Sequence, residues 1–424
     1  MAESGQREAA AAYIVRSMTN TSIQRLTWSN LAAQSAEQLS LAAVPMVAVL
    51  TLGAGAAQTG LLSAAQTLPF LLLSIPAGLL ADRSSRRGLL IAAEALRAAS
   101  LLALVLLAFA GQLSIAWLAV LGFIGATGTV AFSVAAPSLV PALVERADLP
   151  AANARLEIAR STAFAAGPAL AGALVGWAGG PPAFVLALVL SSVAVVWLRG
   201  LPEPARPALP PRHVLHELRE GAQLIWQHDL LRPIMWTAVA WNLSWFVLQA
   251  AYVPYAVSLI GLNAAAIGST LATYGIGLVV GAVLATRLMR LMNFGTAVIV
   301  GPLFSVAAGL VMVATLWWPS AWLAGASFFL FGAGPALWVV TSTTLRQTVT
   351  PAAMLGRVSA LFLTVNAGSR PLGAALGAGI ASAVGGSAGL KACIVVMAAG
   401  FAVQALIIVC SPLLRLSRLP EAVA

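Results

Sequence analysis

Four ionisable side chains lie inside long apolar segments of this 424-residue chain: Glu37, Glu94, Arg97 and Arg370. Placing one charge in a lipid-embedded helix costs at least about 2.5 kcal/mol on insertion scales. Each of these groups therefore needs an opposite charge, a hydrogen-bond partner or a water-filled cavity. Glu94 and Arg97 are three residues apart, so we expect them to neutralise each other as a structural pair.

Glu37 belongs to a polar stripe on the first apolar segment. Asn30, Gln34, Glu37 and Gln38 fall at i, i+4, i+7 and i+8, which share one face of a helix. A polar stripe within lipid must face a cavity or a partner helix. Two interpretations stay open. Glu37 binds a proton or a cationic substrate, with Gln34 and Gln38 beside it, or it is a hydrogen-bonded carboxyl that holds its helix against a neighbour.

Arg370 is buried deeply in the predicted membrane. It lies thirteen residues after Arg357 and just before Pro371, which places it about 20 Å along its helix at 1.5 Å per residue. A permanently charged guanidinium at that depth must meet an acid, carbonyl groups or an anionic substrate. Arg370 is therefore either a substrate or coupling contact or a structural cap on neighbouring carbonyls.

A third candidate group lies on the seventh apolar segment. Asn242, Trp245, Gln249 and Tyr252 share one helix face, with Trp241 beside them. Such an aromatic and polar wall suits a large, partly apolar ligand. Core packing is the alternative interpretation for the tryptophans.

The elements that must position these groups follow from composition. Hydrophobic residues make up 60% of the chain and charged residues 8%, and the apolar runs are too many and too long for a soluble core. Apolar and polar residues do not alternate with a period of two in these runs, so the runs predict α-helices and exclude a transmembrane β-barrel. We predict an all-α integral membrane protein with twelve transmembrane helices at 28–51, 58–80, 88–110, 114–136, 158–178, 181–199, 234–258, 266–288, 295–317, 320–342, 357–384 and 389–412.

Twelve helices divide the chain into five predicted regions. These are a cytoplasmic tail at 1–26, a six-helix bundle at 27–199, a proline-rich cytoplasmic linker at 200–232, a second six-helix bundle at 233–412 and a cytoplasmic tail at 413–424. Within the linker, the stretch from His213 to His228 has the spacing of an amphipathic surface helix. Most basic residues fall on one side of this topology, so the positive-inside rule places both termini in the cytoplasm.

Several classes of function are excluded. The net charge of +10 arises from scattered basic residues without interleaved aromatics, so we expect no nucleic-acid partner. Cys393 and Cys410 are seventeen residues apart on one helix, and the histidines fall on a solvated face, so no disulfide or metal site is predicted. No phosphate-binding Gly-Lys-Ser or Gly-Lys-Thr loop exists. We therefore predict no cofactor, no direct use of ATP and no enzymatic activity.

The two halves repeat each other. Several residues recur at an offset of 203 positions, namely Gly78 and Gly281, Arg87 and Arg290, and Pro168 and Pro371. Glycines spaced by four residues, which let helices pack closely, also occur in both halves. Parallel repeats of six helices are typical of transporters whose halves rock about a site at the bilayer midplane.

The polar segment from Gly78 to Arg87 resembles the cytoplasmic signature of the major facilitator superfamily, although Ser85 replaces its second glycine. A glycine there permits close helix approach, an aspartate can cap a helix, and arginines can meet an acid, for which Glu145 is the candidate. By this resemblance the cluster closes the cytoplasmic side. Its predicted members are Gly78, Asp82, Arg83, Arg86, Arg87, Glu145 and Arg357.

A more specific resemblance covers both halves. The segments Pro137-Ser-Leu-Val-Pro, Gly167-Pro-Ala-Leu-Ala-Gly, Leu355-Gly-Arg-Val and Pro371-Leu-Gly are similar to the branch of that superfamily containing enterobactin exporters and macrolide-efflux proteins. This resemblance implies export of a bulky organic compound such as a drug, a macrolide or a siderophore-like molecule. The chain lacks the full glycine set of the fifth-helix antiporter motif and the arginine that many proton-coupled exporters carry in the fourth helix.

The prediction is a secondary active transporter that exports such a compound by alternating access, coupled to proton antiport. Its partners are a small-molecule substrate, the lipid bilayer and protons, and we expect a monomer in a bacterial inner membrane. Two alternatives stay open: an uptake permease for a small metabolite, and a membrane sensor or scaffold that transports nothing.

Overall fold

The computed structural model describes residues 21–143, 149–203, 214–351 and 354–420, and this part of the chain is built from thirteen α-helices. The helices are α1 (Thr21–Leu50), α2 (Ala56–Arg83), α3 (Arg86–Phe109), α4 (Ile115–Leu143), α5 (Leu149–Ala178), α6 (Gly180–Arg199), α7 (Val214–Gln227), α8 (Leu231–Tyr255), α9 (Ala264–Leu291), α10 (Phe294–Ala314), α11 (Ala321–Val349), α12 (Leu355–Val384) and α13 (Gly386–Val409). A π-helical turn, Ala256–Ile260, continues α8, and a 3-10 turn, Pro412–Arg415, follows α13.

Each predicted apolar segment is a long helix in the structure, which confirms the all-α prediction. The largest difference is at α5, which begins at Leu149 and not at 158. Residues 149–157 contain too many polar side chains to be part of the apolar run. Pro150 in the first turn is nevertheless compatible with a helix start. The helix extends beyond the apolar segment, and hydropathy alone cannot detect such an extension.

Ten of the helices in the described residues are long and apolar enough to cross a membrane. The two long helices that fall short are α1 and α12, which carry Glu37 and Arg370. Their polar residues lower their hydropathy, so twelve spans remain a prediction for these two helices.

The second half repeats the packing of the first. In the first half, α1 packs against α5 and α6, α3 against α4 and α6, and α2 against α4. In the second half, α8 packs against α12 and α13, α10 against α11 and α13, and α9 against α11. Equivalent turns also match, because Gly179 between α5 and α6 has φ 76° and Gly385 between α12 and α13 has φ 74°. Left-handed backbone of this kind favours glycine. The chain therefore forms two pseudo-symmetric six-helix bundles.

The bundles meet mainly along two helix pairs, α2 with α12 and α5 with α9, and α2 also contacts α8. We call the end of the molecule where α1 begins the near end and the end where α1 stops the far end. At the far end, a Cβ placed on Gly60 would lie 2.7 Å from the Cβ of Ala378, and one on Gly172 would lie 2.8 Å from the Cα of Gly268. Backbones approach this closely only where side chains are absent or small. The halves are therefore tightly packed at the far end.

The predicted glycine pairs serve close packing within each half as well. A Cβ on Gly281 would lie 2.7 Å from the Cα of Ala333 on α11, and one on Gly373 would lie 2.9 Å from the Cα of Leu243 on α8. Gly78 behaves differently, because a Cβ there would have no atom within 4 Å. The prediction that Gly78 permits close helix approach is therefore wrong for this conformation.

Exposed tryptophans mark both ends of the helix bundle. Trp177, Trp318 and Trp322 at the far end are 81%, 68% and 89% exposed. Trp226 of α7 and Trp236 of α8 at the near end are also exposed, and their rings contact edge to face with centroids 6.2 Å apart. Tryptophan is enriched where a membrane meets water. These two belts fit a bilayer around the long helices, with α7 along its near surface.

Candidate functional site

The two halves enclose a cavity of about 380 Å³. Residues of α1 to α5 line it on one side, and residues of α8, α9, α11 and α12 line it on the other. Its charged and amide side chains are Glu37, Gln38, Gln66, Arg97, Arg160, Asn242, Gln249 and Arg370, and its aromatic side chains are Phe70, Phe164, Trp241, Trp245, Phe246, Tyr274 and Phe328. Charged groups set in an aromatic surface suit a partly apolar organic ligand.

A buried ion-pair network holds the first-half side of the cavity. The guanidinium of Arg97 lies 2.6 Å from a carboxylate oxygen of Glu94 and 3.6 Å from one of Glu37. It also donates to the carbonyl oxygen of Ala33 at 3.1 Å and to Thr129 Oγ1 at 2.7 Å. Glu94 and Arg97 are 0% and 4% exposed, which confirms the expected structural pair. The network joins α1, α3 and α4, and it brings Arg97 to the cavity wall.

Arg370 enters the cavity from the second half and has a different environment. Its guanidinium carbon lies 4.9 Å from the ring centroid of Phe70 on α2 and 5.9 Å from that of Phe246 on α8. Its Nε atom is buried and has no hydrogen-bond partner. Among the described residues no carboxylate lies within ion-pair distance of it. Two aromatic rings, rather than an acid, surround this charge.

Arg160 of α5 also lines the cavity, and the sequence interpretation missed it. Glu157 accepts hydrogen bonds from its Nε at 3.0 Å and from its Nη2 at 2.6 Å, and the guanidinium lies 5.3 Å from the ring of Phe164. The i, i+3 spacing of these two residues was the available signal. Glu157 lies one residue before the predicted helix 158–178, so the predicted span does not contain the pair.

The predicted aromatic wall of α8 forms most of the second-half side of the cavity. The rings of Trp241 and Trp245 stack with centroids 5.4 Å apart, and Trp245 packs against Tyr274 of α9 at 5.0 Å. Asn242 and Gln249 lie among the lining residues, as predicted for that helix face. The sequence around Tyr274 does not distinguish this cavity residue from a residue of the core.

Two of the predicted site residues lie outside the cavity. Tyr252 is 1% exposed, its hydroxyl group and Thr270 Oγ1 share a hydrogen bond, and its ring packs against Phe328 with centroids 4.6 Å apart. The Tyr252 side chain is therefore enclosed between helices, although the next residue of α8, Val253, still lines the cavity. Gln34 is half-buried and also lies outside the lining, so the stripe on α1 reaches the cavity only at Glu37 and Gln38.

At the near end, the predicted gating cluster contacts Glu203, an acid that the sequence analysis did not name. Glu203, which follows α6, accepts hydrogen bonds from Ser85 Oγ at 2.6 Å and from the backbone N–H groups of Arg86 and Arg87 at 3.1 and 3.2 Å. The Nε of Arg87 lies 3.8 Å from the same carboxylate. Glu203 therefore caps the amino-terminal end of α3. Glu145 and the side chains of Asp82 and Arg83 lie outside the described residues.

Arg357 forms its contact within the second half. Its guanidinium pairs with Glu220 of α7, and α7 packs against α12 and α8. Ile225 of α7 is buried in a cluster with Ile234 of α8 and Val358 of α12. The amphipathic helix is therefore fastened to the second bundle.

Comparisons with known proteins agree with this architecture. The family model of the Major Facilitator Superfamily matches residues 26–374. An uncharacterized MFS-type transporter of Sinorhizobium fredii is 30% identical over 262 residues, which cover 58% of this chain and 62% of that protein. The multidrug efflux pump Tap of Mycobacterium tuberculosis is 26% identical over 219 residues, which cover 49% and 52%. Both alignments span less than two thirds of the relative's own length.

A longer alignment relates the chain to the enterobactin exporter EntS of Citrobacter koseri, which is 28% identical over 312 residues covering 72% of each protein. Among solved structures, a bacterial homologue of the lysosomal transporter Spinster matches with a TM-score of 0.74 and 16% identity over 95% of this chain and 99% of that one. A bacterial homologue of the iron transporter ferroportin matches with a TM-score of 0.71 and 17% identity over 91% and 97%. At these identities the structural similarity concerns the fold.

Proposed function

The chain belongs to the major facilitator superfamily, and we propose that it is a secondary active transporter that exports a bulky organic compound by alternating access. The observation that carries this proposal is the cavity shared by the two bundles. Charged groups face it from each half, Glu37 and Arg97 from the first and Arg370 from the second. A solute bound there contacts both halves, so a rocking motion of one bundle against the other changes the side to which the solute is exposed.

The direction of transport is supported by the relatives and by the size of the cavity. Two of the similar proteins are named as a multidrug efflux pump and an enterobactin exporter. The cavity, at about 380 Å³, falls in the range of sites for drug-sized ligands. Its stacked tryptophans offer the broad, rigid surface that a bulky aromatic or macrocyclic compound requires.

Proton antiport is the proposed energy source, with Glu37 as the residue that binds the proton. The side chain of Glu37 is 17% exposed at the cavity wall. Its partner Arg97 has a closer carboxylate, Glu94, at 2.6 Å. Protonation of Glu37 therefore leaves Arg97 with a counter-charge. A carboxylate that can become neutral without leaving a buried arginine unpaired is suited to repeated proton exchange.

The proposed orientation places the near end and both termini in the cytoplasm of a bacterial cell. The motif from Gly78 to Arg87, Glu203 and the pair of Arg357 with Glu220 all lie at this end. Export then begins with entry of the compound from the near end, because the far end is tightly packed at Gly60 and Gly172. Opening of the far end releases the compound.

Transport direction is tested in an exporter-deficient bacterial strain that expresses the chain. Cells are loaded with a panel of fluorescent dyes, macrolides and siderophores. Export predicts lower accumulation and higher resistance than in cells carrying the empty vector. Greater accumulation of a panel member would contradict export and favour uptake. Unchanged accumulation of every compound, with purified protein in vesicles moving none of them under any ion gradient, would contradict transport itself.

A further inference from the structure

We propose that the cavity takes an organic anion, and that the guanidinium of Arg370 binds its acid group while its apolar body lies on the aromatic wall. This inference rests on the proposed transport function and names the chemical class of the transported compound. Carboxylates, sulfonates and phenolates attached to an aromatic or macrocyclic body belong to this class.

The arginines of the cavity wall differ in how they are paired with carboxylates. Three arginines line the cavity, and two of them have a carboxylate within ion-pair distance. Arg97 pairs with Glu94 and Glu37, and Arg160 pairs with Glu157 through two hydrogen bonds. Within the described ranges Arg370 has no carboxylate at ion-pair distance, and its Nε is buried without a hydrogen-bond partner. A buried charge that lacks a partner is unfavourable, so a bound anion gains both the ion pair and the missing hydrogen bond.

Glu37 does not form a direct ion pair with Arg370. It lies in the same cavity, but its carboxylate is within 3.6 Å of Arg97 and belongs to the first bundle. Arg370 comes from the second bundle and is flanked by Phe70 and Phe246. Glu37 therefore attracts Arg370 only from beyond ion-pair distance, and a direct ion pair with Arg370 is left to an acid group of the solute.

The surroundings of Arg370 fix its orientation. The rings of Phe70 and Phe246 lie 4.9 and 5.9 Å from its guanidinium carbon, and aromatic rings attract a cation without using its N–H donors. The donors thus remain available for a planar acid group, which a guanidinium can bind through two parallel hydrogen bonds. One ring comes from each half, so the anion-binding group lies where the two bundles meet.

The aromatic wall supplies the rest of the site. Trp241 and Trp245 stack beside the cavity, and the Nε1 donor of Trp241 is buried without a hydrogen-bond partner. A ligand with a polar atom on an apolar body satisfies that donor and covers the rings. The negative charge also fits export, because a membrane potential that is negative inside favours outward movement of an anion.

Binding to the full chain in lipid nanodiscs tests the proposal. The probes are a panel of matched pairs: anthracene, pyrene and naphthalene carboxylates and sulfonates, each beside its neutral amide. For at least one pair we expect the wild type to bind the acid about tenfold or more tightly than the amide, in line with one charge-assisted contact. Arg370→Gln is expected to bring this ratio close to one, and Arg370→Lys to leave part of it, because lysine keeps the charge but not the planar fork.

Arg346→Gln is the matched control. Arg346 also lies over a ring, with its guanidinium carbon 4.9 Å from the centroid of Phe362, and its Nε is likewise buried without a hydrogen-bond partner, but it is outside the cavity lining. This variant should keep the wild-type ratio of the affinity for the acid to the affinity for the amide. Melting curves and gel filtration in the same lipid establish that each variant is folded.

The two proposals fail in different ways. Equal affinity for acid and amide across the panel, or an acid preference that survives in folded Arg370→Gln, would overturn the anion proposal. If a neutral or cationic dye is nevertheless exported in the cell assay, the transport function stands. If vesicles containing the wild type move no compound, the transport function fails whether or not acids bind.

Discussion

Glu37 of α1 lies 3.6 Å from Arg97 of α3, and Arg97 lies closer still to Glu94, at 2.6 Å. Two carboxylates thus share one buried guanidinium at the wall of the cavity. One of them, Glu94, is fully buried and also accepts a hydrogen bond from Ser191 Oγ at 2.7 Å. The other, Glu37, reaches the cavity. This arrangement separates a structural acid from one that can exchange a proton.

Glu37→Gln should abolish transport driven by a pH gradient and leave folding nearly intact. Glutamine keeps the shape but cannot bind and release a proton, while Arg97 retains Glu94. We expect a modest loss of stability, because the buried Arg97 keeps its closer carboxylate partner, Glu94. The measurement is dye efflux from vesicles with and without a pH gradient, alongside a melting curve. Glu157→Gln, which alters a more exposed pair, is the control, and unchanged coupling in Glu37→Gln would remove Glu37 from the mechanism.

Gly172→Ala should prevent tight closure of the far end. An added Cβ would lie 2.8 Å from the Cα of Gly268, so α5 and α9 must separate. Overpacking of this kind typically costs about 1–3 kcal/mol. The control is Gly176→Ala one turn later, where the added Cβ would lie at an ordinary 3.6 Å from the Cβ of Ala264.

The readout is the accessibility of a cysteine placed at Ser63 in the cavity to a membrane-impermeant thiol reagent, in a background in which Cys410 is replaced. Labelling from the far side should rise in Gly172→Ala and stay at the background level in Gly176→Ala. Equal labelling of the two variants would mean that this glycine contact does not close the far end.

Glu203→Ala should loosen the first turn of α3. The carboxylate accepts hydrogen bonds from Ser85 Oγ and two backbone N–H groups at that helix start, and loss of such a cap typically costs about 1 kcal/mol. Hydrogen exchange at residues 85–88 should become faster. Glu203→Gln keeps an acceptor oxygen and should show a smaller effect. Ser85→Gly removes both the bond to Glu203 and the N-cap bond from the Gly88 N–H to Ser85 Oγ, so it should speed exchange at Gly88 as well, and unchanged exchange in Glu203→Ala would contradict the capping role.

His228, between α7 and α8, gives a pH dependence outside the membrane spans. Partial burial lowers the pKa of His228 from its ordinary value of about 6.5, and the nearby Asp229 opposes that shift. Its neutral Nδ1 accepts a hydrogen bond from the backbone N–H of Leu230 at 3.1 Å. Because the folded-state pKa is the lower one, this contribution to stability is present above the unfolded-state pKa. It is lost as the pH falls through the folded-state pKa.

Melting curves of the wild type between pH 7.5 and pH 5 check this expectation against His228→Asn. Asparagine can accept the same hydrogen bond but does not titrate in this range. The melting temperature of the wild type should fall more on acidification than that of the variant. If the melting temperatures of the two proteins fell equally on acidification, His228 would not be the source of the pH dependence.

The helices were predictable because lipid imposes a simple rule. Every apolar segment of sufficient length had to be a helix, and the prediction missed only helix ends that extend beyond its bounds, by the largest margin at Leu149 and also at Thr21, Leu143 and Val349. The close approach of Gly281 and Gly373 followed from the four-residue spacing of small residues. These features depend on local sequence and on the solvent, both of which can be read without a structure.

Side-chain partners across helices were harder to predict. Arg87 was expected to meet an acid, and the acid in the structure is Glu203, which lies 116 residues further along the chain in the linker between the halves. Phe70 and Tyr274 reach the cavity through the crossing of α2 and α9 with their neighbours, and nothing in their spacing indicates it. Tyr252 shares a helix face with Trp245, but its side chain is enclosed by contacts with Thr270 and Phe328, while the next residue, Val253, lines the cavity. Such outcomes depend on tertiary geometry.

The connection between the bundles is fastened at both ends. Glu203 binds the start of α3 in the first bundle, and the pair of Glu220 with Arg357 ties α7 to the second. Only the residues between Glu203 and Val214 join these two anchor points. An extended chain covers at most about 3.5 Å per residue, so Glu203 and Val214 can lie no more than about 40 Å apart. An insertion in this segment would raise that greatest distance, and a deletion would lower it.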